Sequence, residues 1–182
     1  MDFINTDIPE VVIIKPKVFT DPRGEFLETY RLAEFSNAGI QIGFVQDNHA
    51  GSKQGVLRGL HYQIQNPQGK LIRVISGDIF DVAVDLRKSS PSFGQYVGIR
   101  LDDKDKMMLW IPAGFAHGYY VMSAWAEVEY KVTEYYAPDF ERTIVWNDPK
   151  LKIAWPLLEN DHPILSEKDQ HAQKFQNADL YE

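Results

Sequence analysis

Leu71-Ile72-Arg73-Val74-Ile75-Ser76-Gly77-Asp78-Ile79-Phe80-Asp81-Val82-Ala83-Val84-Asp85-Leu86 carries the clearest pattern in this chain. In an extended backbone Phe80, Val82, Val84 and Leu86 fall on one face, the two-residue period of a strand. Ser76-Gly77-Asp78 is turn chemistry between two such runs. The pattern continues through Tyr96-Val97-Gly98-Ile99-Arg100-Leu101 and Met107-Met108-Leu109-Trp110-Ile111. Pro112-Ala113-Gly114 then breaks the chain before Gly118-Tyr119-Tyr120-Val121-Met122, and Glu127 to Thr133 alternates again. Upstream, Val11 to Ile14 and Phe26 to Tyr30 read as extended. Helix is scarce. One short helix is expected over Leu32 to Ala38, with Gly39 as its C′ residue. A second opens at Ser166-Glu167-Lys168-Asp169, a capping-box variant with Asp in the fourth position. Many short strands with turn punctuation give an all-β fold, a sandwich or barrel.

Composition sets the frame. The chain has 182 residues, without internal repeat or linker, and is read as one domain over residues 1–182. A chain of this size buries roughly 70% of its unfolded surface, enough for a core without staples. Aromatic residues make up 13% and suit barrel interiors and interfaces. There is no cysteine, which excludes disulfides and thiolate metal sites and fits a reducing cytoplasm. The start Met1-Asp2-Phe3-Ile4-Asn5 lacks the basic and apolar regions of a signal peptide, and no apolar run nears the roughly 18 residues of a membrane span. A net charge of −7 argues against nucleic acid as a partner. It leaves room for a small anionic ligand in a locally cationic cleft.

Two histidines stand in patterned surroundings. In a regular strand over Val56 to Gln63, Arg58, Leu60 and Tyr62 point one way and Gly59, His61 and Gln63 the other. His61 is either a hydrogen-bonded strand residue or a general base, since neutral imidazole accepts protons near pH 7. Pro112-x-Gly114-x-x-His117 is a turn that aims a histidine inward, similar to the second motif of the cupin superfamily. The first cupin motif carries His-x-His and a Glu for metal. Here the matching segment is His61-Tyr62-Gln63, without the second histidine, and two histidines are a poor set for a divalent ion. Neither metal nor cofactor is expected. Tyr130 shares a face with Val128 and Val132, as a core tyrosine or a proton donor. Lys70 shares a face with Ile72 and Val74. A lysine there either snorkels to the rim or meets an anion, because an unpaired buried charge is costly.

Taken in order, these segments resemble the family of dTDP-4-dehydrorhamnose 3,5-epimerases, a metal-free cupin branch. The resemblance runs from about residue 9 to residue 170. It is carried by Phe19-Thr20-Asp21-Pro22-Arg23-Gly24, Gln46-Asp47-Asn48, Leu57-Arg58-Gly59-Leu60-His61 and Gly69-Lys70-Leu71. Further matches are Phe80 to Arg87, Ile111 to Gly118, Tyr130-Lys131, Trp146-Asn147-Asp148-Pro149 and Leu165 to Asp169.

The resemblance implies a cupin jelly-roll homodimer acting on a dTDP-4-keto-6-deoxy sugar. It implies His61 as proton acceptor oriented by Asp169, Tyr130 as donor on the opposite face, and Lys70 against phosphate or sugar oxygens, where the chemistry of an enolate beside the ketone also suits its charge. Arg23, Arg58 and Lys168 would meet phosphate or sugar oxygens. Glu28, Gln46, Asp47, Asn48, His117 and Glu141 would complete the shell, with Phe26 near the base or ribose and Tyr135-Tyr136 as further candidates for the thymine. Relatives that invert only C3 or only C5, ketoisomerases, metal-dependent cupin oxygenases and non-catalytic carbohydrate-binding cupins are the alternatives.

Overall fold

The alternating runs fold as strands nearly where the sequence places them. A computed structural model describes residues 1–41, 43–158 and 162–182. In chain order the strands are β1 (Asp2–Asn5), β2 (Val12–Lys15), β3 (Val18–Asp21) and β4 (Gly24–Leu27), followed by helix α1 (Leu32–Asn37). Next come β5 (Gln46–Lys53), β6 (Leu57–Gln63), β7 (Lys70–Ser76), β8 (Asp78–Asp85) and β9 (Tyr96–Asp102). They are followed by β10 (Met108–Ile111), β11 (Phe115–Val121), β12 (Trp125–Val132), β13 (Glu141–Thr143) and helix α2 (Glu167–Gln170). The strand after Pro112-Ala113-Gly114 begins at Phe115, three residues earlier than its apolar run indicates, because β8 pairs with it from Asp85 onward. Phe26 to Tyr30 is strand only to Leu27.

The strands form an antiparallel sheet of order β1-β2-β10-β7-β12-β5 and a second of order β13-β6-β11-β8-β9. Strands β3 and β4 form a separate hairpin. This is the expected jelly-roll arrangement. Alternation fills three apolar layers. Ile72 and Val74 of β7, Val128 of β12, Ile79 and Ala83 of β8 and Tyr119 of β11 meet between the sheets. On the outer side of the first sheet, Phe35 of α1 packs on Val12, Ile14, Leu71 and Trp110. On the outer side of the second, Leu151 and Phe175 cover Leu60, Tyr62, Val82 and Val84. The face Phe80-Val82-Val84-Leu86 is therefore an outer face covered by the C-terminal segment.

One irregularity positions the site. His61 lies opposite His117, yet Arg58 lies opposite Tyr119. Three steps along β6 match two along β11, which is a bulge. Gly59 occupies it at φ +131°, and a Cβ there would meet Gly118 Cα at 2.5 Å. A Cβ on Gly118 would meet the Arg58 carbonyl oxygen at 2.7 Å. The reading that puts Arg58 and His61 on opposite faces is thus wrong, because the extra residue turns both toward one cavity.

Gly118→Ala is expected to lower stability by about 1–3 kcal/mol through overpacking at this contact. Urea unfolding checks it, and an unchanged midpoint would contradict the described approach of the two strands.

Candidate active site

The site begins with His61 on β6 and with the chain returning beside it. Backbone bonds from Leu57 N–H to Ile164 O at 3.0 Å and from Val145 N–H to Gln173 O at 2.8 Å hold the C-terminal segment to the edge of the second sheet. Between them Ser166 caps the start of α2, its Oγ accepting from the Asp169 backbone N–H at 3.2 Å. The cap uses the backbone of Asp169 and leaves its carboxylate for His61. Asp169 Oδ1 lies 2.6 Å from His61 Nε2, and the carboxylate side chain is only 2% exposed. The expected His–Asp pair is therefore present geometrically.

The charges of the pair follow from its surroundings. Burial lowers the His61 pKa from the ordinary imidazole value, against the opposing pull of Asp169; Lys168 and Lys70 lower it further. Burial alone would raise the Asp169 pKa, but the hydrogen bond and charge of His61 outweigh it and hold the carboxyl below its usual value. At neutral pH the result is a neutral imidazole donating Nε2–H to a carboxylate, with no protein partner on Nδ1 among the described residues.

Tyr130 and Lys70 come from the other sheet. Tyr130 on β12 packs against the inner core that includes Val128, and Lys70 pairs with the end of the same strand at Val132. Burial raises the Tyr130 pKa, with Arg58 pulling it down and Glu141 up, so the phenol keeps its proton at neutral pH. Lys70 is buried, and none of the described carboxylates forms an ion pair with it. Burial brings its ammonium down to about 8, although Asp81 and Glu141 support the charge. It faces the same cavity as His61 and Tyr130.

That cavity has a volume of about 290 Å³, with Gln46 and Asn48 on its wall. A lobe of about 230 Å³ shares His61, Lys70, Tyr130 and Glu141 and adds Arg58, His117 and Lys168. Several of these groups are preset. Glu141 accepts from Lys168 Nζ at 2.7 Å and from the Tyr136 hydroxyl at 3.0 Å. Arg58 Nε donates to Ser52 Oγ at 3.0 Å. His117 Nε2 lies 2.9 Å from Asp81 Oδ2. Among the described residues no group of three or more His, Cys, Asp and Glu side chains is placed to hold a metal.

Four expected ligand residues lie elsewhere in this chain. Strand alternation puts Gln46 and Asn48 inward and Asp47 outward, where it pairs with Lys131 Nζ at 2.8 Å. Arg23 and Phe26 sit on the β3–β4 hairpin, at a separate surface depression. The Arg23 side chain is 90% exposed and bonded to its neighbour Asp21. Glu28 pairs with Arg31 at 2.6 Å. Tyr136 lines the cavity, whereas Tyr135 is exposed and absent from its wall. Sequence reading missed Gln63, Gln68 and Tyr119, all of which line the site. Gln63 has a visible job: its amide donates to Tyr135 O at 3.2 Å and accepts from Ala137 N–H at 2.9 Å, fixing the loop that carries Tyr136. The signal was an amide at the position of the missing second cupin histidine.

The sequence model of the family described as dTDP-4-dehydrorhamnose 3,5-epimerase matches residues 5–177. The dTDP-4-dehydrorhamnose 3,5-epimerase of Pseudomonas aeruginosa is 56% identical over 175 residues, covering 96% of each chain. That of Shigella flexneri is 50% identical over 183 residues, covering 100% of this chain and 99% of the other. The crystal structure of dTDP-6-deoxy-D-glucose-3,5-epimerase from Legionella pneumophila, in complex with dTDP-4-keto-L-rhamnose, superposes with a TM-score of 0.96 at 49% identity, covering 99% of this chain and 97% of that one.

Asp169→Asn is expected to lower the His61 pKa further, because the group that opposes desolvation is gone. An NMR titration of the His61 ring reads it; a raised or unchanged pKa would contradict the described pair.

Proposed function

The chain belongs to the dTDP-4-dehydrorhamnose 3,5-epimerase family, and on that premise we propose the roles its cavity residues take in the reaction. The enzyme inverts C3 and C5 of dTDP-4-dehydro-6-deoxy-D-glucose, giving dTDP-4-dehydro-L-rhamnose. Both carbons flank the C4 ketone, so removing either proton gives an enolate whose charge rests on one oxygen. His61 takes the proton on Nδ1 while Asp169 holds Nε2–H and stabilises the imidazolium. The Lys70 ammonium meets the developing oxyanion in a buried site, where such stabilisation is worth about 3–4 kcal/mol. Tyr130 then gives its phenolic proton to the same carbon from the opposite face. After each inversion His61 loses a proton and Tyr130 regains one by exchange with water, which resets the pair for the second carbon.

The observation that carries this reading is the convergence of a neutral imidazole, a protonated phenol and a buried ammonium on one cavity. Arg58 and Lys168 suit phosphate or sugar oxygens. Gln46, Asn48, His117 and Glu141 complete the polar wall. Arg23, Phe26 and Glu28 are assigned to the partner's cavity in a homodimer. Support comes from the hairpin's separation from its own cavity and from its exposed Phe19 and Phe26. Asp47 is assigned no ligand role. The cytoplasm, where nucleotide sugars are available, is the compartment assigned to this cysteine-free chain. Among the described residues no helix is long and apolar enough to cross a membrane.

Turnover in deuterated water is expected to place label at both C3 and C5 of the product. Label at one carbon would reduce the enzyme to a mono-epimerase, and none would remove epimerisation. His61→Ala should cut turnover by about 10²–10⁴-fold while dTDP still binds.

A second test is the pH profile of kcat/KM. It should fall on the acid side through a value below the ordinary imidazole 6.5, as His61 gains a proton. It should fall on the alkaline side near 8, as Lys70 loses its charge. Lys70→Arg should move the alkaline limb upward; a limb left in place would assign it to another group.

A further inference from the structure

Asp81 is fully buried on β8 and takes no part in the reaction as described so far. It sits on the inner face with Ile79 and Ala83, where a carboxylate is costly unless its oxygens are satisfied. Oδ2 is satisfied by His117 Nε2 at 2.9 Å, and Oδ1 has no partner among the described residues. The register explains the meeting: Asp81 lies opposite Tyr119, and His117 opposite Ala83, so the two are diagonal neighbours across β8 and β11. His117 is itself buried, its ring lines the cavity lobe, and it lies directly opposite His61 in the pairing of β11 with β6. Among the described residues no hydrogen bond engages His117 Nδ1, and the ring that carries it lines the cavity lobe. The fold thus holds two His–Asp pairs side by side, one on each of two paired strands.

We propose that Asp81 is a positioning residue: it keeps the His117 proton on Nε2 and so presents the bare Nδ1 to the cavity as acceptor for a sugar hydroxyl next to the ketone. The inference rests on the epimerase reading and adds to it. A carboxylate can only accept, so it admits one neutral tautomer of the ring that touches it. With Nε2–H committed, Nδ1 accepts from the hydroxyl on the carbon beside C4, whose configuration the reaction inverts. An acceptor fixed there holds the ring of the sugar while the carbon's hydrogen changes face. Lys70 gains as well, since the Asp81 charge supports its ammonium. The two pairs have different tasks: Asp169 serves a base that must take up a proton, and Asp81 serves a ring that must not turn over its tautomer.

Asp81→Asn separates this from a packing role, because the amide keeps the shape but donates as well as accepts. In the wild type, long-range proton–nitrogen NMR should show His117 protonated at Nε2 and bare at Nδ1. In the variant the Nδ1–H tautomer should become populated, kcat/KM should fall about 10–100-fold, by analogy with the loss of the carboxylate partner of a metal-bound histidine, and dTDP affinity should stay within about twofold. A wild-type ring carrying its proton on Nδ1 overturns the proposal, and this measurement needs no variant to fold. An unchanged kcat/KM in folded Asp81→Asn overturns it too, as does an equal loss of dTDP affinity. Failure of the epimerase reading shows separately, as wild-type protein that incorporates no deuterium.

Discussion

One extra residue in β6 decides what the cavity contains. In a regular pairing Arg58 and His61 would face opposite sides of the second sheet. The bulge at Gly59, pressed against Gly118 with no room for a side chain on either, turns both inward. It also sets His61 across from His117, so that the imidazoles come from adjacent strands of one wall. Tyr130 and Lys70 occupy the facing wall by plain alternation along β12 and β7. The C-terminal segment covers the outer face of the second sheet with Leu151 and Phe175 and, in passing, delivers Asp169 to His61. Packing of an outer layer and orientation of the His61 ring are thus the work of the same tail.

Electrostatics then sorts the groups. Burial pushes the His61 imidazole toward its neutral form, the Tyr130 phenol toward its protonated form and the Lys70 ammonium down to about 8. Each is the form that proton abstraction beside a ketone requires. A chain of net charge −7 still offers an anionic substrate Arg58, Lys70 and Lys168 on one concave surface. The carboxylates Asp81, Asp169 and Glu141 sit behind or beside these cations and keep them from being unopposed before substrate arrives.

Strands were legible because each buries a face whose period is two, as in Phe80 to Leu86. Lys70 was legible because a lysine on an apolar face demands a reason, whereas Asp169 by itself read as part of a helix cap and its pairing with His61 was legible only through the family resemblance. The bulge was not legible, because Arg58-Gly59-Leu60-His61 alternates acceptably as a regular strand, and only the pairing with Tyr119 and His117 shows the slip. Asp47 was misplaced by treating Gln46-Asp47-Asn48 as a unit where alternation splits it. Arg23 and Phe26 lie on the separate β3–β4 hairpin and Glu28 just after it, away from the cavity of this chain, a separation that strand alternation alone does not reveal. Asp81 was overlooked for a physical reason: the apolar face of its strand drew the reading, and the charged residue lay on the face that proved to be the inner one.

The account depends on a base on one side of the sugar ring and an acid on the other, and Tyr130→Phe separates the two directly. In deuterated water this variant should still wash label into recovered starting material beside the ketone, because His61 can remove and return hydrogen on its own face. Inverted product should fall by about 10²–10⁴-fold. Inverted product at the wild-type rate, or loss of exchange in step with inversion, would contradict it.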